Sequence, residues 1–407
     1  MIVICQSVVV TRRGLLAISH GAELEGGAEF VFDELVKSLA TAGDTPPITV
    51  VVPAEGEMAS LCRRAGIEVV IRPVPRWADF RKIQTRGRVR LAISLVPGTV
   101  LALCLIGRTR PIAVLTNTMT IPSHAIAARI FRIPHFWLVH EFGDRDHGLS
   151  FVFGKTKTLQ WLAGLSSEVI CCSVAVERAV LDAAPDARTR VIYPGVRAPA
   201  LPPRRRAEAG ALRLILVGRY AESKGQDLAL QALAAVVSRG ANVSLTLVGP
   251  GDRTPFVKMA SVLGLTQRVT MHGLTSDVLT YVVNADVALM CSRDEAFGRV
   301  TVEAMRRGLP VCGTRSGGTT EIISHGVNGL LSSPGDIEGL AANIEKMLDD
   351  DERFRMAKGA AATAAQFASR DYGSDIWQVV QERSIAARAR RTDRPRSEQA
   401  TGDEPLS

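Results

Sequence analysis

Short apolar runs alternate with longer helical segments along this sequence, and the pattern occurs twice. In the first half, "LLAISH" (15–20) is followed by "GGAEFVFDELVKSLATAG" (26–43), whose apolar residues recur at helical spacing. The pattern restarts at "LRLILVGRY" (212–220), followed by "KGQDLALQALAAVVSRG" (224–240). Alternation of strands and helices predicts parallel, doubly wound sheets. We therefore expect an α/β fold with two Rossmann-like domains.

A change of composition separates the two halves. Residues 194–211, "PGVRAPALPPRRRAEAGA", contain four prolines and four arginines without periodicity, which is typical of an exposed linker. The two sheets would face a common cleft, because ligands of such folds bind at the carboxyl ends of the strands. The predicted organisation is an N-terminal domain (1–195), a linker (196–211), a C-terminal domain (212–370), a further helical segment (371–386) and a disordered polar tail (387–407).

Composition limits the classes of function. A net charge of +8 with only 5% aromatic residues favours an acidic ligand or an anionic membrane surface over nucleic acid. The seven cysteines form no C-x-x-C pair, so we expect a reducing cytoplasm, no disulfides and no structural zinc. In "MIVICQSVVVTRRG" (1–14) the charges follow the apolar run, unlike in a signal peptide. The longest apolar stretch (91–107) is shorter than the ~20 residues of a spanning helix and contains Pro97 and Gly98, so no transmembrane helix is expected.

Two cations follow the first strand of the second half. In "LILVGRYAESKGQDLAL" a buried strand ends at Gly218, and Arg219 and Lys224 lie on the loop that enters the next helix. Two cations beside the free amides of a helix N-terminus suit a diphosphate. The alternative, two solvated loop charges, is equally plausible for this feature alone. The stretch matches neither G-x-x-x-x-G-K-[ST] nor G-x-G-x-x-G, the usual phosphate and dinucleotide motifs.

Two carboxylates eight positions apart stand in "DEAFGRVTVEAMRRG" (294–308). Glu295 lies just before a predicted helix that begins at about Phe297 and Gly298, and Glu303 lies in its second turn. Eight residues at 100° leave an offset of about 80°, so the spacing assigns them separate tasks along one elongated ligand. A carboxylate can accept two hydrogen bonds from a vicinal diol such as a ribose. The alternative is a surface glutamate and a charge that stabilises the helix dipole.

Three weaker features complete the candidate cleft. In "GTRSGGTTEII" (313–323), a glycine turn before Glu321 brings backbone amides to a ligand or is only a turn. Gly26 and Gly27 join a strand to a helix and could face phosphates. His140 ends a strand, where it binds a sugar hydroxyl or serves a structural hydrogen bond. The pair Asp144 and Asp146 forms a D-x-D that could hold Mn²⁺ or Mg²⁺, a reading we disfavour because the cations already offer a metal-free way to neutralise phosphate.

In this order, the motifs resemble those of retaining glycosyltransferases of family 4, which have the GT-B architecture, over about residues 14–385. Glu295 and Glu303 match the family's E-x7-E motif. Arg219 and Lys224 match its diphosphate-binding Arg and Lys in the same strand–loop context. "GTRSGGTTEII…GVNGLL" matches the segment downstream, and "VIYPGV" resembles the end of the family's N-terminal domain.

The resemblance implies roles along a nucleotide-sugar donor. Arg219 and Lys224 would hold the diphosphate and Glu303 the ribose. Glu295 would contact the donor sugar, helped by amides around Phe297 and Gly298. The implied catalytic residues are Glu295, His140, Arg219 and Lys224, and the implied donor-binding residues are Gly26, Gly27, Arg219, Lys224, Glu295, Phe297, Gly298 and Glu303.

The first domain matches less specifically. Gly26 and Gly27 correspond to the family's glycine loop, and His140 to its histidine near the donor sugar. The final segment, with Trp377, would cross back onto the first domain. Residues 1–13 precede the strand with which a typical member begins.

The implied reaction transfers a sugar with retention of configuration by front-face attack, without a metal or other cofactor. The partners would be a nucleotide-diphosphate sugar and a glycan or lipid-linked acceptor, in cell-surface polysaccharide or glycolipid synthesis, with no nucleic acid. The basic, aromatic stretch 72–90 would meet an anionic membrane surface from the cytoplasmic side; the alternative is a solvated loop before a buried helix. A nucleotide-sugar epimerase or a non-catalytic nucleotide-sugar-binding protein remain alternative functions.

Overall fold

Two parallel sheets organise the chain. In the computed structural model, residues 13–80, 84–197, 200–201, 211–275 and 278–392 are described. The first sheet has seven strands and the second six, and every strand pair within them is parallel. The predicted α/β class with two doubly wound sheets is therefore confirmed.

The first unit contains the seven-stranded sheet and a small two-stranded ribbon. In chain order its elements are β1 (Leu15–Ile18), α1 (Gly27–Thr41), β2 (Ile48–Val52), α2 (Glu57–Arg64), β3 (Glu68–Ile71), β4 (Ala78–Asp79), α3 (Thr85–Thr109), β5 (Ala113–Asn117), α4 (Ser123–Ile130), β6 (His135–Val139), α5 (Asp144–His147), β7 (Ser150–Phe151), α6 (Lys155–Leu165), β8 (Glu168–Cys171), α7 (Val174–Ala183) and β9 (Thr189–Val191).

The second unit contains the six-stranded sheet and the C-terminal helices. In chain order its elements are β10 (Leu212–Val217), a short 3-10 turn (Glu222–Lys224), α8 (Gln226–Ser238), β11 (Val243–Val248), α9 (Thr254–Val262), β12 (Val269–His272), α10 (Val278–Val282), β13 (Val287–Met290), α11 (Arg299–Arg306), β14 (Val311–Thr314), α12 (Thr319–Ile322), β15 (Gly329–Ser332), α13 (Ile337–Lys346), α14 (Asp350–Ala368) and α15 (Tyr372–Thr392).

The strand order places a crevice in each sheet. The first sheet runs β3-β2-β1-β5-β6-β8-β9 and the second β12-β11-β10-β13-β14-β15. The direction in which successive strands are added to the sheet reverses between β1 and β5 in the first sheet and between β10 and β13 in the second. The loops that leave neighbouring strands at such a switch point diverge to opposite faces, so a ligand crevice opens between them. Each unit therefore contributes one crevice at the carboxyl ends of its strands.

The last helix returns to the first unit. Tyr372, Ile376 and Val380 of α15 are buried in the apolar core beneath α1, and the Trp377 indole donates to Asp44 at 3.1 Å. The predicted segment 371–386 lies within α15, which extends to Thr392, so the predicted tail 387–407 begins inside this helix. Residues 393–407, 1–12 and the linker residues 202–210 lie outside the described residues.

Helix α3 covers part of the stretch 72–90, for which the sequence predicts either contact with a membrane surface or a solvated loop before a buried helix. It begins at Thr85 and continues for 25 residues through Pro97 and Gly98. Gly98 is buried against Pro75, where a Cβ would lie 2.2 Å from the ring, and this close approach requires glycine. By length and composition residues 86–109 could cross a membrane. One face of its C-terminal half packs on the core, because Ala102 and Ile106 are buried under the first sheet.

Because α15 packs on the first unit, substitutions at two isoleucines of this helix should differ in their effect on the free energy of unfolding. Ile376→Ala should lower the free energy of unfolding by about 2–5 kcal/mol, because it leaves a cavity in the core that α15 shares with α1. Ile385→Ala is the matched control: its side chain is 68% exposed, and the expected change is within about 0.5 kcal/mol. Urea denaturation followed by circular dichroism measures both, and equal losses would contradict the packing described here.

Candidate functional site

The crevice of the second sheet is closed by a pair of opposite charges. Lys224 leaves the loop after β10 and Glu295 the loop after β13, and Lys224 Nζ lies 2.9 Å from Glu295 Oε2. The Ser292 hydroxyl donates to the same oxygen at 2.8 Å. The two charges come from neighbouring strands at the switch point, so the strand order itself brings them together.

The pair is stable because each charge compensates for the burial of the other. Burial alone would raise the pKa of Glu295, but the Lys224 charge and the hydrogen bonds from Lys224 and Ser292 lower it below its ordinary value. Burial likewise opposes the charge of Lys224, and Glu295 outweighs it, so the pKa of the ammonium is raised. Both side chains are therefore ionised at neutral pH.

Glycine at position 225 allows Lys224 to reach Glu295. Gly225 has a φ of +70°, and a Cβ there would lie 2.0 Å from the carbonyl oxygen of Cys291. The turn before α8 consequently presses against the end of β13. A larger residue would push Lys224 away from the neighbouring loop.

A second glycine pair holds the segment around Glu295. The Gly318 amide donates to the Glu295 carbonyl at 2.8 Å, and a Cβ on Gly317 would lie 2.1 Å from that carbonyl oxygen. These glycines thus brace the loop by close packing, and the Gly318 amide is already used. Phe297 packs against Tyr193 and Phe367, with ring centroids 6.0 and 5.6 Å away. Its side chain is core, so only its backbone is available to a ligand.

Helix α11 begins in the crevice with the amides of Arg299 and Val300, which have no backbone partner among the described residues. Its N-cap, Gly298, has a φ of +94° and no side chain that could cover the first turn. The first amides of a helix lack intrahelical partners and attract anions. The sequence placed the start of this helix correctly to within two residues.

Glu303 in the second turn of α11 is already hydrogen-bonded. Its Oε1 accepts from Arg299 Nε at 2.9 Å, and Arg299 also pairs with Glu34 of α1, in the other unit, at 2.8 Å. The crevice beside Glu303 has a volume of about 20 Å³, room for about one water molecule. Among the described residues, Thr301 Oγ1 and Arg307 Nε in its wall are buried without a partner. An organic ligand would therefore have to widen this crevice.

Arg219 stands apart from this cluster. Its side chain is exposed, and no ion pair with it occurs among the described residues, whereas its carbonyl accepts from Gln226 at 2.7 Å. The structure thus brings Lys224 to Glu295 and leaves Arg219 free at the rim.

The first unit contributes a glycine loop and an ion pair between a histidine and a glutamate. Gly26 caps α1, and a Cβ there would lie 2.8 Å from Glu29 Oε2. Glu29 pairs with His20 at 2.8 Å. His20 lies in the loop that leaves β1. A Cβ on Gly27 would meet nothing within 4 Å, so the backbone of this first helical residue faces open space.

His140 follows β6, and among the described residues neither ring nitrogen has a partner although both are buried. Burial lowers the pKa of His140 to about 3, helped by the charge of His20. The ring is therefore neutral at physiological pH, with one donor and one acceptor free for a ligand. The next residue, Glu141, accepts from the amides of Met119 and His140, and burial raises its pKa to about 8.

Asp144 and Asp146 do not act as a pair. Asp144 forms an ion pair with Lys155, whereas Asp146 accepts 2.8 Å hydrogen bonds from the amides of Phe142 and Gly143. The two carboxylates therefore have separate structural partners. Within the described ranges, no group of three or more His, Cys, Asp or Glu side chains could hold a metal ion.

Several polar contacts join the two units across the cleft. Glu321 accepts from the Val174 and Ala175 amides of α7 at 2.9 Å and from the Tyr193 hydroxyl at 2.8 Å. Arg145 approaches Asp294 at 3.7 Å, next to Glu295. For the segment around Glu321 the sequence predicts either amides that face a ligand or only a turn, and the structure places the Glu321 carboxylate at the N-terminus of α7 in the other unit.

Sequence reasoning missed the residues whose partners lie on another element. These are His20, Glu29, Glu34, Glu141 and Arg299. Their position in the sequence is the one signal that could indicate them. His20, Glu29 and Glu34 belong to the segment around the glycine loop, and Arg299 lies between Gly298 and Glu303.

Known proteins resemble parts of this sequence. Residues 202–363 match the sequence profile of the family described as glycosyl transferases group 1. A lipopolysaccharide core biosynthesis glycosyltransferase, LpsE, of Rhizobium meliloti is 34% identical over 171 residues, 42% of this chain and 49% of that protein. A glycogen synthase of Mycobacterium tuberculosis is 29% identical over 284 residues, 67% of each chain. The chain thus spans about half the length of the first relative and two thirds of the second.

Solved structures resemble the whole described chain. Anabaena Alr3699/HepE in complex with UDP-glucose has a TM-score of 0.71 and 24% identity, covering 91% of this chain and 99% of that one. Sucrose-phosphate synthase from Thermosynechococcus elongatus has a TM-score of 0.71 and 20% identity, covering 92% and 100%. This likeness concerns the fold, and it confirms the predicted GT-B architecture.

The buried, neutral His140 predicts a pH dependence of stability. Its folded pKa of about 3 lies below the ordinary value of 6.5, so between these values the unfolded chain binds a proton that the folded chain does not. Stability is therefore lost as the pH falls from about 6.5 towards 4. In His140→Gln, the decrease should be smaller by about 1.4 kcal/mol per pH unit.

Urea denaturation at a series of pH values measures this difference. His124 and His135 are also buried with lowered pKa values and act in the same direction, whereas the raised pKa of Glu141 acts in the opposite one. Because all three remain in the variant, the difference between the two curves isolates His140. Parallel curves for wild type and variant would contradict its neutral state.

Proposed function

We propose that the chain moves a sugar from a nucleotide-diphosphate sugar to an acceptor hydroxyl with retention of configuration. The match of residues 202–363 to the family model described as glycosyl transferases group 1 supports this proposal. The observation that supports this best is the ionised Lys224–Glu295 pair at the switch point, beside the free amides of α11. It combines a cation for a diphosphate with a carboxylate for sugar hydroxyls.

The donor diphosphate would lie between Lys224 and the N-terminus of α11. Its charge would be met by the Lys224 ammonium, by the helix amides and by Arg219, whose exposed side chain is free to turn inward. These groups are fixed in place before the bond breaks, which is the usual basis of electrostatic stabilisation. Because they are cationic or polarised, we propose that the reaction needs no metal ion.

The ribose would bind to Glu303. Its Oε1 is held by Arg299, and a carboxylate has about four acceptor sites, so Glu303 can accept from ribose hydroxyls without losing this contact. The narrow crevice beside it would widen to admit the nucleoside. Arg299, which is itself held by Glu34 of the other unit, then orients Glu303.

The sugar would lie between Glu295 and His140. Glu295 would accept hydrogen bonds from its hydroxyls, and the neutral His140 ring, whose nitrogens lack partners, would donate and accept one each. In the transfer step, the bond between the anomeric carbon and the leaving phosphate oxygen breaks. The acceptor oxygen bonds to the same face of that carbon, and its proton passes to the leaving phosphate.

The first unit would hold the acceptor, a glycan or a lipid-linked glycan of cell-surface polysaccharide or glycolipid synthesis. The names of relatives such as LpsE point to this class of pathway for those proteins. The exposed cations around α3 support work at the cytoplasmic face of an anionic membrane.

Removing either member of the charged pair should abolish most of the activity. Lys224→Ala and Glu295→Ala should lower kcat by about 10²–10³-fold, because each removes a group that stabilises the leaving diphosphate or orients the sugar. Lys37→Ala is the matched control, since Lys37 forms a 2.7 Å pair with Asp33 on α1, outside the crevice. It should retain wild-type turnover.

The assay is release of nucleoside diphosphate in the presence of candidate acceptors. A thermal-shift panel of nucleotide sugars first identifies the donor, and circular dichroism verifies that the variants are folded. Wild-type turnover in both purified variants would refute the site assignment. Donor binding without any release across the acceptor panel would favour a non-catalytic binding protein instead.

A further inference from the structure

Helix α5 is a single turn whose backbone is fixed from within. The Asp146 carboxylate accepts 2.8 Å hydrogen bonds from the amides of Phe142 and Gly143, just before the turn. The Gly148 amide donates to the Asp144 carbonyl at 3.0 Å and closes the turn at its other end. Both glycines have positive φ angles, which side chains disfavour. The turn therefore holds the side chains between them in a defined place.

Two of these side chains, Arg145 and His147, lie beside the charged pair of the second unit. Arg145 Nη1 lies 3.7 Å from Asp294 Oδ1, across the cleft and next to Glu295. Burial raises the pKa of Glu295, and Lys224 and, more weakly, the nearby His147 lower it below its ordinary value. Helix α5 thus forms the wall of the cleft that faces the sugar end of the candidate site.

Both side chains have hydrogen-bonding capacity to spare. The contact of Arg145 with Asp294 is too long for a hydrogen bond, and so is the 3.8 Å separation of His147 Nε2 from Asp146 Oδ2. Arg145 Cζ lies over the Phe142 ring, 4.4 Å from its centroid, a contact that uses none of the N–H groups. The two side chains are 48% and 49% exposed. A ligand in the cleft can therefore reach their polar atoms.

The two walls of this part of the cleft are complementary to sugar hydroxyls. Helix α5 offers N–H donors from Arg145 and His147, and the loop before α11 offers carboxylate acceptors from Asp294 and Glu295. A hydroxyl donates one hydrogen bond and accepts others, so one hydroxyl can bind to both walls at once. A phosphate only accepts hydrogen bonds, and here it would be repelled by the two carboxylates.

The order of groups along the loop indicates which edge of the sugar this wall meets. The amides that would bind the phosphates follow Glu295 in the sequence, at the start of α11, whereas Asp294 precedes it. Arg145 approaches Asp294. We therefore expect the contact between Arg145 and Asp294 at the edge of the sugar that is remote from the diphosphate.

We propose that α5 recognises the donor sugar, with Arg145 and His147 donating hydrogen bonds to hydroxyls on the edge remote from the diphosphate. The ligand class is an uncharged sugar with free hydroxyls on that edge, because a carboxylate there would meet Asp294 and Glu295. The sugar would join the two units in place of the long contact between Arg145 and Asp294. This inference rests on the proposed function, since it concerns the donor of the same site.

The first experiment separates the sugar from the nucleotide. Isothermal titration calorimetry measures the dissociation constants of the preferred nucleotide sugar and of its nucleoside diphosphate, which lacks the sugar. Arg145→Gln and His147→Gln should each weaken binding of the nucleotide sugar by about tenfold and leave the nucleoside diphosphate unchanged. Arg129→Gln is the matched control, because this exposed arginine ends α4 at the opposite edge of the sheet. It should change neither constant.

The second experiment tests the hydroxyls themselves. Nucleotide sugars that each lack one hydroxyl of the sugar are compared with the parent compound. In wild type, loss of a hydroxyl on the remote edge should weaken binding by about tenfold. Arg145→Gln should bind the parent and that analogue equally, because the hydroxyl and the guanidinium belong to one contact. The corresponding nucleotide hexuronate, which carries a carboxylate, should bind wild type more weakly than the parent does.

A purely structural role of Arg145 gives a different result. If Arg145 only joined the two units, Arg145→Gln and Asp294→Asn would weaken the nucleoside diphosphate and the nucleotide sugar equally, and this overturns the inference. It is also overturned if wild type and Arg145→Gln lose the same affinity with each missing hydroxyl, or if the hexuronate binds most tightly. Circular dichroism verifies that the variants are folded. A wild-type protein that binds no nucleoside diphosphate refutes the proposed function instead, so the two failures are distinguishable.

Discussion

The partly buried ion pair between Lys224 and Glu295 is the interaction around which the cleft is built. Either charge alone would be costly in this environment, since an unpaired buried charge destabilises by several kcal/mol. The loops after β10 and β13 must therefore stay in register, and glycines at 225, 317 and 318 give the close backbone approaches that keep them so. The same loop fixes the position of the free amides of α11. A site for an anionic ligand thus follows from one pair of charges at a switch point.

Much of this site follows from the sequence because of a property of parallel sheets. All strands end at the same edge, so residues just after Val217 and Met290 lie at one edge of the sheet whatever their separation along the chain. The alternation of apolar runs and helices likewise predicts two sheets whose strands all run in one direction. The direct contact of Lys224 with Glu295 could not be predicted, because it depends on β10 and β13 being neighbours, and strand order is not written in any local pattern.

The unpredicted residues have in common that their partners lie on another element. Glu34 and Arg299 look like surface residues of amphipathic helices, and only the facing of the two units turns them into a partly buried pair. Glu321 resembles the end of a turn until α7 offers it two free amides. Helix α3 begins six residues before the apolar stretch 91–107, and it continues through Pro97 and Gly98 because it packs on Pro75 and on the core beneath it.

The contacts between the two units divide into two kinds, and the division determines how the cleft can open. Phe297, Tyr193 and Phe367 pack as an aromatic cluster near the places where the chain passes from one unit to the other. There the Val196 amide donates to the Phe367 carbonyl. At the cleft the contacts are charged or polar, as in Arg299 with Glu34. Water can replace polar contacts at little net cost, but exposing aromatic surface costs about 25 cal/mol per Å². Opening that admits a nucleoside to the crevice beside Glu303 should therefore separate the polar contacts and pivot about the aromatic cluster.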